Sequence, residues 1–115
     1  MEELDQLRQD LRAFAAERDW DQFHTPKNLA MALTAEAGEL LEQFQWLTPE
    51  QSAALEPERL EAVRAELADV LLYLVRLADR LDIDLGSAAR AKLGANARKY
   101  PAARVRGRPD KYDKY

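Results

Sequence analysis

The chain has 115 residues, of which 47% are hydrophobic and 33% charged, and its formal net charge is −4. These values fit one folded domain rather than a disordered chain, and the acidic balance argues against a general nucleic-acid-binding protein. The absence of cysteine excludes disulfides and thiolate metal sites. No apolar run approaches the roughly 18 residues of a membrane span, and the acidic start is unlike a signal peptide. We therefore expect a cytoplasmic protein that binds neither membrane nor nucleic acid.

The first half of the chain predicts two helices. Apolar residues recur every three or four positions between Leu4 and Phe14, which predicts an amphipathic helix over about Glu3–Arg18. Thr25 followed by Pro26 predicts the capped start of a second helix, which runs to about Trp46. Because this second helix is apolar on most of its circumference, we expect it to be buried between neighbours.

Capping signals also divide the second half of the chain. Thr48-Pro49-Glu50 predicts a short turn with its own cap, and Glu56-Pro57-Glu58 predicts the start of a third long helix that runs to about Leu81. Asp84 is the expected N-cap of a fourth helix over Leu85–Lys99, which ends before a proline. The chain is therefore expected to contain four long helices.

This pattern predicts an all-α protein with a four-helix bundle in residues 1–101. Residues 102–115 carry alternating charges and few apolar side chains, which indicates a flexible basic tail. Two of the four helices are apolar nearly all round, and four short helices cannot cover them completely. We therefore expect a homo-oligomer, either a dimer or a tetramer.

Two acidic pairs lie inside the two most apolar helices: Glu36 with Glu39, and Glu66 with Asp69. Each pair is spaced i, i+3, so both carboxylates project from the same face of their helix. Four carboxylates flanked by apolar residues are costly to bury unless a cation neutralises them. A hard divalent ion with oxygen ligands meets that need, and such an ion is what a polyphosphate substrate requires. The pairs therefore predict a metal-dependent phosphohydrolase.

The acidic pairs have other interpretations. Such pairs are common on solvated helix faces, and Arg59 or Arg64 could form an ion pair with Glu66. A di-iron carboxylate bundle requires Glu-x-x-His motifs on two helices, whereas this chain has one histidine, His24, in a loop. A zinc hydrolase would lack its His and Cys ligands for the same reason. A non-catalytic helical module, assembled through apolar faces and using the basic tail to bind an acidic partner, remains the alternative to an enzyme.

Further candidate residues lie near the acidic pairs. One face of the fourth helix carries ammonium and amide groups that would meet phosphate oxygens if the helix faces converge: Lys92, Asn96 and Lys99. Aromatic side chains before and at the end of the second helix could form a slot for a planar base: Trp20, Phe23, His24 and Trp46. The simpler interpretation of Trp20 and Phe23 is that they plug one end of the bundle.

These residues together resemble a known family. The runs Glu36-Ala37-Gly38-Glu39-Leu40 and Glu66-Leu67-Ala68-Asp69-Val70, with Lys92, Asn96 and Lys99-Tyr100-Pro101 after them, resemble the all-α nucleoside triphosphate pyrophosphatases of the MazG type. Within that family the resemblance is greatest to the dCTP pyrophosphatase branch. It covers essentially residues 4–101 and is strongest over Phe14–Trp46. One difference is Leu11, where the animal members carry a histidine that contacts the substrate.

The resemblance implies a MazG-like bundle that hydrolyses dCTP, a modified dCTP or a related deoxynucleoside triphosphate to the monophosphate and pyrophosphate. Its role would be sanitation of the nucleotide pool. The cofactor would be Mg²⁺, with Glu36, Glu39, Glu66 and Asp69 as ligands, and Glu36 or Glu39 would orient or deprotonate the attacking water. The implied nucleotide contacts are Trp20, Asp21, Gln22, Phe23, His24, Asn28, Trp46, Tyr73, Lys92, Asn96 and Lys99.

Overall fold

The computed structural model describes residues 2–109, and within this range the regular elements are helices, with no β-strand. In chain order they are α1 (Glu2–Glu17), a 3₁₀ turn (Asp21–Phe23), α2 (Pro26–Glu42), α3 (Pro49–Ser52), α4 (Pro57–Arg80), α5 (Leu85–Lys99) and α6 (Ala102–Val105). The all-α prediction is confirmed, and the four predicted long helices are α1, α2, α4 and α5. None of the helices in this range is long and apolar enough to cross a membrane.

The helix starts follow from local side-chain chemistry. The hydroxyl of Thr25 accepts a hydrogen bond of 3.1 Å from the backbone N–H of Asn28, which caps α2. A capping box at Thr48 opens α3, and Asp84 accepts a bond of 3.1 Å from the backbone N–H of the third residue of α5. Each bond satisfies an N–H group that the helix itself leaves without a partner. The predicted caps at Thr25, Thr48 and Asp84 are therefore confirmed.

Helix α2 ends at Glu42, so the prediction that it continues to Trp46 is wrong. Beyond Glu42, the backbone N–H groups of Gln43, Phe44 and Leu47 donate to the carbonyl three residues earlier, at 3.1, 2.9 and 2.9 Å. Such bonds form tight turns rather than further α-helix. Trp46 consequently lies in a turn rather than on α2.

The first compact unit, Met1–Ile83, is held together by packing of α4 against α2 and α1. Its buried apolar side chains come from all three helices: Ala15, Leu29, Val63, Val75 and Ala78. Because α2 packs mainly against α4, the remainder of its apolar surface stays open, and Met31 and Leu41 are 61% and 59% exposed. The prediction that α2 is buried between neighbours is therefore wrong for the single chain.

The second compact unit, Asp84–Tyr115, contains α5 and α6. Helix α5 begins and ends where the sequence predicts. Residues 102–109 include the single helical turn of α6, within the predicted tail. The rest of that tail, residues 110–115, lies outside the described residues, and the domain boundary at residue 101 stays a prediction.

Candidate metal and nucleotide site

Three of the four predicted ligands meet where α2 packs on α4. Glu36, Glu39 and Glu66 each place a carboxylate oxygen within 4.8 Å of the others; we call these residues the acidic cluster. Glu36 and Glu66 are half-buried, and Oε2 of each is buried with no hydrogen-bond partner among the described residues. Burying a carboxylate oxygen without a hydrogen-bond partner costs free energy. A positive group bound at the cluster would offset that cost.

The alternative in which arginines neutralise this cluster is not supported. Arg64 pairs with Glu61 at 3.2 Å, and Arg59 donates to the backbone carbonyl of Gln43 at 2.6 Å. Among the described residues, no ion pair within 4 Å includes a member of the acidic cluster. The carboxyl groups of the cluster therefore face one another without a cationic partner in the described chain.

This crowding changes the proton affinity of the carboxyl groups. The pKa of Glu36 is raised above its ordinary value, chiefly by a hydrogen bond with Glu66 and further by burial and the charge of Asp69. The pKa of Glu39 is raised by a hydrogen bond with Glu36 and by the charge of Glu36. A hydrogen bond between two carboxyl groups needs a proton on one of them. A divalent cation could take the place of such protons, and the all-oxygen donor set suits Mg²⁺.

A cavity of about 260 Å³ adjoins the acidic cluster and shares Glu36 with it. Asp69, the fourth predicted ligand, is exposed and lines this cavity beside Glu36. The remaining walls are mostly aromatic or apolar: Leu11, Phe14, Trp20, His24, Leu72, Tyr73 and Arg76. A cavity lined by both carboxylates and aromatic rings can hold a cation-bound anion together with a planar ring.

The aromatic wall depends on how the chain leaves α1. The backbone N–H of Trp20 donates to the carbonyl of Ala15 at 2.9 Å, which turns the chain back towards the helix end. The indole of Trp20 then meets the ring of Phe14 edge-on, with centroids 5.7 Å apart, and the imidazole of His24 at 6.2 Å. Phe14 was not among the residues predicted for the site, because its helical spacing also fits a core position.

Other predicted contacts lie elsewhere. Phe23 and Trp46 are 59% and 86% exposed, and neither lines the cavity. Gln22 donates to the backbone carbonyl of Asp19 at 3.0 Å, and the amide of Asn28 donates to the carbonyl of Phe23 at 3.0 Å. These bonds shape the loop that carries Trp20. Lys92, Asn96 and Lys99 lie on α5 in the second unit, and their contacts with a nucleotide stay predictions.

Arg76 is the site residue that sequence analysis missed. Its side chain is only 5% exposed, and its guanidinium donates to Nδ1 of His24 at 3.1 Å and to Asp21 at 2.6 Å. It also lies 3.7 Å from Asp79, which receives two further bonds from Arg12, at 2.7 and 2.6 Å. We call Arg12, Asp21, Arg76 and Asp79 the arginine–aspartate network. The available signal was the i, i+3 spacing of Arg76 and Asp79 on an apolar helix, as in the acidic pairs.

Comparisons with known proteins agree with the resemblance seen in the acidic motifs. A sequence profile described as the MazG-like family matches residues 31–114, which include all four predicted metal ligands. The chain is 46% identical over 111 residues to dCTP pyrophosphatase 1 of Bos taurus, and 46% identical over 111 residues to the Homo sapiens protein of that name. These alignments cover 95% of this chain but 66% and 65% of the relatives, so the chain spans slightly less than two thirds of their length.

A solved structure shows the same fold. A pyrophosphatase from Archaeoglobus fulgidus superimposes with a TM-score of 0.81 at 40% sequence identity, over 86% of this chain and 93% of that one. The predicted fold type is thereby confirmed.

Proposed function

Because the chain belongs to the MazG-like family, we propose that it is a Mg²⁺-dependent nucleoside triphosphate pyrophosphohydrolase. Its substrate would be dCTP, a modified dCTP or a related deoxynucleoside triphosphate, cleaved to the monophosphate and pyrophosphate, and its role would be nucleotide-pool sanitation. The names of the relatives support this reaction class. The observation that carries the proposal is the position of Glu36, which belongs to both the acidic cluster and the aromatic-walled cavity.

Glu36, Glu39 and Glu66 would hold the metal ion, with Asp69 as a fourth ligand. The fit rests on the two buried carboxylate oxygens of Glu36 and Glu66 that have no partner in the described chain, and on the absence of a nitrogen or sulfur donor from the cluster. When bound, Mg²⁺ would neutralise phosphate oxygens and stabilise the charge that develops during cleavage.

The chain's own residues would perform the remaining tasks. Trp20 and Tyr73 would hold the base between aromatic surfaces in the cavity, and His24 would hydrogen-bond its edge. Glu36 or Glu39 would orient the attacking water and accept its proton, a role that their raised pKa values favour. The other nucleotide contacts expected from the family resemblance stay predictions: Asp21, Gln22, Phe23, Asn28, Trp46, Lys92, Asn96 and Lys99.

We further propose a homo-oligomer in the cytoplasm. Met31, Leu41 and Leu67 are large apolar side chains that are more than half exposed on α2 and α4 of the single chain. Exposed apolar surface on neighbouring helices is typical of an interface between subunits. Light scattering after size exclusion should give a dimer or tetramer mass, and a monomer at micromolar concentration would contradict this part of the proposal.

The decisive experiment incubates the purified chain with Mg²⁺ and a panel of deoxynucleoside triphosphates and measures pyrophosphate release. A reaction with excess chelator is the control for the metal. Release of pyrophosphate from dCTP with Mg²⁺, and none in the reaction with excess chelator, would support the proposal. Release of orthophosphate would contradict cleavage between the α- and β-phosphates, and no release from any nucleotide would contradict the enzyme itself.

A further inference from the structure

We propose that Arg76 is a positioning residue that holds His24 in one tautomer, with its proton on Nε2, so that the imidazole offers a ligand in the cavity a hydrogen-bond donor. The part of this inference that concerns base recognition rests on the proposed function. The tautomer itself rests on the contacts of Arg76 alone.

The contact between Arg76 and His24 determines where the imidazole proton can lie. The Nε–H of Arg76 donates to Nδ1 of His24 at 3.1 Å. A guanidinium has five N–H donors and no acceptor, and it stays protonated at any ordinary pH. Nδ1 must therefore present a lone pair, which leaves the single proton of a neutral imidazole on Nε2.

The arginine can enforce this choice because it is itself held. Its side chain is only 5% exposed, Asp21 accepts a 2.6 Å bond from its Nη2, and Asp79 lies 3.7 Å from its Nη1. Asp79 is fixed in turn by the two bonds from Arg12, of 2.7 and 2.6 Å. Three sides of the guanidinium are thus occupied, and the fork geometry directs Nε at His24.

The charges around His24 favour the neutral ring. The pKa of His24 is lowered below its ordinary value by burial and then by the charge of Arg76, with Arg80 acting in the same direction and Asp21 opposing it. An imidazolium would also carry a proton on Nδ1, pointing at the donor of Arg76. The ring is packed against Trp20 on another side, with centroids 6.2 Å apart. His24 is therefore a fixed donor near neutral pH rather than a group that can exchange donor and acceptor.

A fixed donor discriminates between bases. His24 and Arg76 both line the cavity proposed to hold the base, and Nδ1 is already bonded, so Nε2 is the ring nitrogen left for a ligand. A donor there favours a base edge with a lone pair and disfavours an edge with an N–H group. Cytosine carries a lone pair at N3, whereas uracil and thymine carry N–H at that position. The arrangement therefore favours dCTP over dUTP and dTTP.

The tautomer can be measured directly because the chain contains a single histidine. The 115-residue chain, labelled with ¹⁵N-histidine, should give one imidazole in a long-range ¹H–¹⁵N spectrum. We expect Nδ1 in the non-protonated region and Nε2 in the protonated region between about pH 6.5 and 8. Averaged shifts for the two nitrogens, or a protonated Nδ1, would overturn the proposal without any variant being made.

A pair of arginine variants tests the cause. Arg76→Lys keeps the positive charge for Asp21 and Asp79 but cannot direct an Nε–H at His24. It should give averaged imidazole shifts and lower the ratio of kcat/KM for dCTP over dUTP by about tenfold, the value of one hydrogen bond. Arg80→Lys, one turn further along α4, makes the same change in a residue with no hydrogen bond to His24 and should leave both measurements unchanged.

These readouts separate the inference from the proposed function. The expected spectrum in a protein that releases no pyrophosphate from any nucleotide would refute the function and support the tautomer. Rapid dCTP hydrolysis with averaged imidazole shifts would refute the tautomer and support the function. A spectrum or nucleotide ratio that Arg76→Lys leaves unchanged would show that Arg76 does not position His24.

Discussion

The acidic cluster and the arginine–aspartate network are two charged sites on the same helix, and they differ in whether the chain completes them. Helix α4 carries an i, i+3 pair near each region. Glu66 belongs to the acidic cluster and Asp69 lines the adjoining cavity, whereas Arg76 and Asp79 both belong to the network. In the network, opposite charges meet at 2.6 Å. In the cluster only carboxyl groups meet, and two of their oxygens are buried without a partner among the described residues. The same i, i+3 spacing therefore gives paired charges where arginine and aspartate alternate. Where both residues are acidic, it gives carboxylates without a cationic partner in the described chain, which could bind a metal ion.

The pKa values of the two regions move in opposite directions. Arg12 lowers the pKa of Asp79 through their hydrogen bonds, so that carboxylate stays charged. The pKa of Glu36 is raised, chiefly by its hydrogen bond with Glu66. A carboxyl group whose pKa is raised by its neighbours gains from a cation, whereas one already paired with arginine does not. The cluster is therefore the region that should respond to a metal ion.

The largest expected effect comes from removing one charge of the cluster. Glu39→Gln should lower the rate of pyrophosphate release by more than about 100-fold, since ligand loss removes stabilisation of the transition state. Helical content by circular dichroism should be unchanged, because the side chain is exposed. Glu42→Gln makes the same change three residues further along α2 and should stay active. Equal loss in both variants would assign the effect to general charge rather than to the cluster.

Added Mg²⁺ should distinguish the two regions without any substrate. At about one hundred times its Kd, an ion that binds only the folded chain stabilises it by about 2.7 kcal/mol, which corresponds to a rise in Tm of roughly 10 °C for a domain of this size. Differential scanning calorimetry should show this rise in the wild-type protein and in Asp79→Asn, and a much smaller one in Glu39→Gln. If added Mg²⁺ leaves the Tm of the wild-type protein unchanged, the result would favour the alternative of a non-catalytic helical module.

Breaking the arginine–aspartate network should lower the free energy of unfolding, whereas the changes at the acidic cluster should act on activity and metal binding. Asp79 has a side chain only 5% exposed, but its partner Arg12 is 56% exposed. We therefore expect Asp79→Asn to lower the free energy of unfolding by about 1–2 kcal/mol at neutral pH, after allowance for solvent screening. Asp5→Asn alters the longer, 3.6 Å pair between the exposed Asp5 and the half-buried Arg8, and it should change the free energy of unfolding little.

The pH dependence of this loss has a definite sign. Because the folded pKa of Asp79 lies below its ordinary value of 3.8, its contribution is fully present above that value and is lost as the pH falls through the folded pKa. Urea denaturation should show the gap between wild type and Asp79→Asn closing in acid. A gap that persists unchanged at pH 2 would contradict the ion-pair explanation.

The smallest effect on stability is expected outside both regions, at Trp46. This side chain is 86% exposed, so Trp46→Ala should change the free energy of unfolding of one chain by less than about 0.5 kcal/mol. If Trp46 contacts the base, KM for dCTP should rise while kcat changes little. An unchanged KM and nucleotide ranking would remove Trp46 from the predicted contacts.

Local rules accounted for most of the helix boundaries. The caps at Thr25, Thr48 and Asp84 depend on bonds that span three residues, so the residue types alone predicted them. The end of α2 was predicted four residues too late, because the apolar pattern continues through Phe44 and Trp46 while the backbone already forms turns. Apolar spacing reports which face a residue would occupy, and it does not report where the hydrogen-bond pattern changes.

The sequence alone determined the helical class of this protein and the two acidic pairs, because both follow from periods of three to four residues along one helix. The tertiary structure decided which charges meet. Packing of α2 on α4 gathered Glu36, Glu39 and Glu66, and the turn after α1 placed Asp21 and His24 against Arg76. Those contacts join residues 27 to 55 positions apart in the sequence. A repeat of three to four residues along one helix cannot predict which residues so far apart will meet. Whether a charged side chain finds an opposite charge within the chain depends on its neighbours in space.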